Sequence, residues 1–139
     1  MTHLLRTSLF IAALACAGGS LAAARADESA DAQQEHAALL AFFRQQGIDL
    51  RPAENRSNVI SYMYSVGPEH TMQYLIGLTY HPRTLSAADV MANYPIALPY
   101  VIHQNWVLWQ VGGPRGNVAP DYLAAWEKVR SALKDYRLR

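Results

Sequence analysis

The 139-residue chain contains a single cysteine, Cys16, so it cannot form a disulfide within one molecule. Lysine and arginine number 12 against 11 aspartate and glutamate, and this balance gives no excess of positive charge for binding nucleic acid. The apolar run at residues 9–17 is far shorter than the roughly 20 residues that a membrane-spanning helix needs. These shortages argue against a disulfide scaffold, a nucleic-acid binder and an integral membrane protein.

Recognisable catalytic and cofactor motifs are also lacking. No Gly-x-Ser-x-Gly elbow occurs, and Gly116 is followed by Asn117 rather than by the lysine of a phosphate-binding loop. Glu54, Glu69 and Asp89 fall in predicted loops or at a helix start, so they do not form the carboxylate pair of a glycosidase. We therefore predict no catalytic residue, no metal site and no cofactor.

Residues 1–26 have the three regions of a secretory signal peptide. A basic start with Arg6 precedes the apolar run, and small residues ending in Ala24 and Ala26 follow it. We predict cleavage after Ala26, which places the protein in the periplasm or outside the cell. Residues 27–139 then form one domain without cysteine, of a size usual for a single core.

Two alternatives at the N-terminus remain open. In the first alternative, residues 1–26 are an uncleaved membrane anchor, although their apolar run is short. Acylation of Cys16 makes the protein a lipoprotein in the second, although the preceding "ALA" matches a lipobox poorly. The protein meets a membrane through its lipid only in this lipoprotein alternative.

Hydrophobic periodicity and turn residues predict the main elements. His36, Leu39 and Phe43 lie on one face of a helix that ends at Gly47. Apolar and polar residues alternate from Met72 to Tyr80, which predicts a strand with one buried face and one face exposed to solvent. The predicted elements are a helix at residues 31–46, a hairpin of strands 59–66 and 71–80, a short helix at 87–93 opened by Ser86 and Asp89, and a helix at 120–136.

The stretch "VIHQNWVLWQVGGPRG", residues 101–116, has two interpretations. Asn105 accepts the left-handed conformation of a hairpin loop, so residues 103–105 can form a turn between two strands. One continuous strand over residues 100–111 fits the alternation equally well. The glycine-rich end of the stretch is predicted to be a turn in both cases.

This order of elements predicts an α+β fold. We expect a two-layer sandwich, in which an antiparallel sheet of three or four strands carries its helices on one face.

Because side chains alternate along a strand, Trp106 and Trp109 should point to opposite faces, and one of them should be exposed. The candidate binding surface consists of aromatic and imidazole side chains, namely Trp106, Trp109, Tyr62, Tyr64, Tyr100 and His103.

The functional prediction is a small exported binding or accessory protein that acts by contact with another protein of the cell envelope. Inhibitors, immunity proteins and envelope-assembly factors belong to this class. The alternative is a small periplasmic hydrolase or metal-dependent enzyme built around Glu69, His70 and His103, which requires both hairpin tips at the same edge of the sheet.

Overall fold

The computed structural model describes residues 15–53, 60–70, 72–94, 96–112 and 119–138, with side chains from residue 30 onward. This part of the chain contains three helices and five strands. In chain order they are α1 (Ala15–Gln45), β1 (Arg51–Pro52), β2 (Tyr62–Ser65), β3 (Leu75–Tyr80), α2 (Ala87–Asn93), β4 (Tyr100–His103), β5 (Trp106–Gly112) and α3 (Pro120–Asp135).

The strands form one antiparallel sheet in the order β1-β2-β3-β5-β4. The predicted α+β class and antiparallel pairing are confirmed, but the expected number of three or four strands is wrong. The additional strand is β1, which pairs Arg51 with Ser65 and Pro52 with Tyr64. Two residues are too few to show an alternating pattern, and proline is disfavoured in strands, so the sequence gives no signal for β1.

The two long helices pack on the same face of the sheet, as predicted. Apolar side chains of α1 and α3 meet the residues of β2, β3 and β5 that point to this face. The buried core on this side includes Leu39, Phe43, Trp126, Val129, Leu133, Ile76, Leu78, Trp106 and Leu108. We call this side the long-helix face.

The opposite face is covered as well, which corrects two expectations. Val90 of α2 packs in a second core with Val107 and Trp109, and the segment from Tyr94 to Tyr100 adds further apolar side chains. The short helix therefore lies on this second face, where no helix was expected. Thr79 lies on the face of β3 that the alternation predicts to be exposed to solvent, but it is only 1% exposed. The polar and glycine residues of β3 suggested an open face, whereas the consecutive apolar residues of β5 are typical of a strand buried on both sides.

Local signals determine where α1 and α2 end or begin. Gly47 has a φ of +69°, and the amides of Gly47 and Ile48 donate to the carbonyls of Arg44 and Phe43 in a Schellman arrangement. Ser86 and Asp89 form the expected capping box at the start of α2. Met91 of α2 is exposed.

The structure resolves the alternative for residues 100–111 in favour of the hairpin. β4 and β5 are joined by Gln104 and Asn105, with His103 paired to Trp106. Gln104, rather than Asn105, adopts the left-handed conformation, with a φ of +52°. The asparagine instead uses its amide group, which donates to the carbonyl of His81 at 2.7 Å.

The N-terminal predictions stay predictions. Helix α1 begins at Ala15 and includes the position after Ala26 where cleavage is expected. In the described ranges, no helix is long and apolar enough to cross a membrane. Glu54 and most of the glycine-rich turn at residues 112–116 lie outside the described residues.

Close packing across the sheet requires the absence of a side chain at Gly77. A Cβ atom at this position would lie 2.5 Å from Cγ2 of Ile60 and 3.2 Å from Cβ of Trp109. We expect Gly77→Ala to lower the free energy of unfolding by about 1–3 kcal/mol, measured by urea denaturation, because the overpacking outweighs the better strand propensity of alanine. In an Ile60→Ala background the same change should cost less. An equal cost in both backgrounds would show that the Ile60 contact is not responsible.

Candidate functional site

The two tryptophans of the candidate surface are both core residues. Trp106 and Trp109 are each 0% exposed, so the prediction that one of them lies at the surface is wrong. The Trp109 indole N–H donates to the hydroxyl of Thr79 at 3.2 Å. The rings of Tyr94 and Tyr100 pack against Trp109, with centroids 5.3 Å away in each case. The face that was expected to be open is thus filled by aromatic packing.

Trp106 lies in an aromatic cluster on the long-helix face. The His36 imidazole is 3.6 Å from the Tyr62 ring and meets the Trp106 ring edge-on at 4.7 Å, measured between centroids. His36 Nδ1 is 3.4 Å from the Tyr64 hydroxyl. Tyr64 is buried and Tyr62 is half-buried, so little of this cluster is available to a partner.

Burial of this cluster shifts the titration of its members. Desolvation lowers the pKa of His36 to about 4 and, together with the neighbouring Tyr62, raises the pKa of Tyr64 to about 12. Both side chains are therefore neutral at pH 7. His36 Nε2 is buried without a hydrogen-bond partner in the described part of the chain, which makes protonation there unfavourable.

The low pKa of His36 predicts sensitivity to acid. His36 has a pKa near 6.5 in the unfolded chain, whereas in the folded chain its pKa is about 4. The free energy of unfolding should be unaffected by His36 above about pH 6.5 and should fall by roughly 3 kcal/mol as the pH decreases to about 4. Urea denaturation at several pH values measures this slope. His36→Phe should remove most of it, and a slope that persists in that variant would contradict the assignment.

The residues of the metal hypothesis lie at opposite ends of the sheet. Glu69 and His70 precede β3 at the end where Leu75 pairs with Gly112, whereas His103 lies at the end where Tyr80 pairs with Trp106. The five residue steps of β3 separate these ends by about 17 Å. Within the described ranges, no three histidine, cysteine, aspartate or glutamate residues could hold a metal ion together. The hairpin tips therefore do not share an edge, and this site is not formed.

Besides the half-buried Tyr62, the part of the candidate surface that remains accessible lies on β4. Among the described residues this strand pairs only with β5, so it forms one edge of the sheet. It carries Tyr100, Val101, Ile102 and His103, which are all half-buried and include no Lys, Arg, Asp or Glu. Edge strands are usually protected by charged residues, proline or bulges, and β4 has none of these.

The hairpin register shows which backbone groups of β4 point outward. A two-residue turn makes His103 and Trp106 a hydrogen-bonded pair, and such pairs alternate along an antiparallel ladder. The Gln110 amide donates to the carbonyl of Pro99 at 2.8 Å, which fits this alternation. The amide and carbonyl groups of Tyr100 and Ile102 consequently face away from β5, and in the described residues no hydrogen bond is made to them.

The opposite edge of the sheet is different. β1 consists only of Arg51 and Pro52, both exposed. A proline lacks the amide donor that strand pairing needs, and an arginine adds charge. The Arg51 side chain also donates to Asp49 at 3.0 Å. This edge is therefore protected against pairing, whereas β4 is not.

Contacts with the C-terminal segment fix the position of β4. His103 Nε2 lies 2.9 Å from the carbonyl oxygen of Tyr136, and the Leu138 amide donates to the Gln104 side chain at 3.1 Å. The Tyr136 hydroxyl in turn donates to Glu35 of α1 at 3.2 Å. The β4–β5 turn is thus held by the segment after α3 and, through Tyr136, is linked to α1.

A second feature is an open cleft on the side of α2. It has a volume of about 410 Å³ and lies where loop 81–86 passes the end of the helix. His81 and Tyr94 meet there, with the hydroxyl 2.9 Å from Nε2. No sequence motif indicated this cleft. The outward groups of β4 could not be identified before the hairpin and its place in the sheet were known.

In comparisons with protein-family models, curated proteins and solved structures, no match to this chain was found.

Proposed function

We propose that this protein is a small exported accessory protein that acts by protein–protein contact, and that β4 provides the contact. The observation that carries the proposal is the unprotected edge at β4, a strand without Lys, Arg, Asp or Glu that is held by contacts with the C-terminal segment. The partner is another protein of the cell envelope, and it contributes an extended segment. Inhibition, immunity against a toxin and assembly of an envelope complex are all roles in which such contacts are used.

In the described part of the chain, the faces of the sheet offer no comparable surface. α1 and α3 cover one face, and α2 with the following segment covers the other. The large apolar residues that are exposed in the described ranges, Met72, Met91 and Leu123, belong to a loop, α2 and α3, and so share no element. A partner that approaches this protein would find the backbone of β4 more accessible than an apolar patch.

Strand addition fits the chemistry of β4. An added strand would form backbone hydrogen bonds with Tyr100 and Ile102, which supply affinity in this mode of recognition. Specificity would come from side chains beside Tyr100 and Ile102 on the α2 face and beside Val101 and His103 on the long-helix face, because strand side chains alternate. The uncharged strand favours partner residues that are apolar or β-branched at these positions.

Replacing Ile102 by proline tests the proposal. The substitution removes an outward-facing amide and puts a ring in its place, and a proline with its nitrogen toward solvent is tolerated on an edge strand. We expect Ile102→Pro to remain folded by circular dichroism and to bind its partners at least about tenfold more weakly, as the loss of a backbone hydrogen bond and a steric clash imply.

Partners are captured from envelope extracts with the wild type and identified by mass spectrometry, and their affinities for each variant are then measured. Ile102→Val is the matched control, since it keeps the amide and most of the side chain, and it should retain the partners. Val101→Pro should unfold the hairpin, because it breaks a hydrogen bond to β5. The proposal fails if no partner is captured, or if the captured partners bind Ile102→Pro as well as the wild type.

A further inference from the structure

We infer that the cleft beside α2 binds a small molecule with a carboxylate group. The cleft volume of about 410 Å³ lies in the range of sites for small ligands. Among the described residues, its lining combines cationic or neutral polar side chains with apolar ones and includes no acidic residue: His81, Pro82, Arg83, Leu85, Asn93 and Tyr94. This site is separate from β4 and does not depend on the proposed function.

Arg83 is the group that would hold the carboxylate. Its side chain is 72% exposed, and it forms a long ion pair, with 3.7 Å between a guanidinium nitrogen and Oδ1 of Asp89. Oδ2 of that aspartate accepts hydrogen bonds from the amide and the hydroxyl of Ser86, and its Oδ1 lies too far from Arg83 for a hydrogen bond, so Asp89 does not take up the guanidinium donors. Guanidinium groups bind carboxylates through two parallel hydrogen bonds, and most of the Arg83 fork faces solvent.

The pair of His81 and Tyr94 supplies a second donor. Burial raises the pKa of Tyr94, so its hydroxyl keeps its proton at neutral pH. When Nε2 of His81 carries a proton, it donates to the Tyr94 oxygen over 2.9 Å, and the hydroxyl proton becomes available to an acceptor in the cleft. In this tautomer, an anion between Tyr94 and Arg83 would receive hydrogen bonds from both side chains.

Loop 81–86 is held in place without a ligand. The amide of His81 donates to the carbonyl of Asn105 at 2.8 Å, and the Asn105 side chain donates back to the carbonyl of His81. The Thr84 hydroxyl donates to the Asn105 side chain at 3.3 Å. Tyr94 is fixed by its edge-on contact with Trp109. Such preorganisation lowers the entropic cost of binding.

Titration with benzoate, followed by NMR of the backbone amides, tests the inference. Benzoate supplies a carboxylate and an apolar ring, and benzamide is the matched uncharged probe. We expect saturable shifts at residues 81–85 and 93–94, with benzamide binding about tenfold more weakly, as the loss of a charged hydrogen bond implies. Equal binding of both probes, or benzoate shifts confined to other residues, would overturn it.

Variants separate the cleft from general anion binding at the surface. Arg83→Gln should reduce benzoate affinity to that of benzamide, and Tyr94→Phe should reduce it several-fold. Arg51→Gln is the control, because Arg51 is also an exposed arginine paired with an aspartate but lies on β1. If Arg83→Gln binds benzoate like the wild type, or Arg51→Gln loses as much affinity, the carboxylate is not held in this cleft.

Discussion

The structure depends on the burial of β5 on both of its sides. Trp106 and Leu108 point to the long-helix face, and Val107 and Trp109 point to the other, with each of the four at most 1% exposed. Burying large apolar side chains is the main favourable contribution to folding. A strand of this kind has to be covered twice, so α1 and α3 pack on one side and α2 with its following segment packs on the other. Because Gly77 has no side chain, the side chains of Ile60 and Trp109 can pack against its backbone.

This double burial limits where the protein can meet other molecules. A sheet with both faces filled leaves its two edges and the loops at its ends, and one edge is protected by Arg51 and Pro52. The other edge, β4, keeps the outward groups of Tyr100 and Ile102, and the cleft at Arg83 lies where loop 81–86 meets α2. The proposed protein contact and the inferred ligand site thus occupy the places that packing of the core leaves open.

Features set by nearby residues were predictable from sequence. α2 has the predicted bounds because Ser86 and Asp89 cap it, and α3 begins at Pro120 as expected and ends one residue early. The end of α1 at Gly47 was also predicted, although not the Schellman arrangement itself. In each case the signal and its structural effect lie within a few residues of one another.

Features set by long-range pairing were not predictable in this way. β5 inserts between β3 and β4, and nothing local to Tyr100 or Ile102 reveals that their strand is the edge. Thr79 and Gly77 suggested that one face of β3 is exposed to solvent. The pattern of a strand does not show which other elements pack on that face. The tryptophans were correctly assigned to opposite faces. Whether the second face is covered depends on where α2 packs, and the sequence around the tryptophans does not show this.

Hydrogen exchange of the β4 amides, measured by NMR on the full chain alone, tests the account most directly. If β4 is an edge paired only with β5, the amides of Val101 and His103 should exchange slowly and those of Tyr100 and Ile102 rapidly. Slow exchange of all four amides would show that another part of the chain covers this edge, and the account of the contact surface would then be wrong.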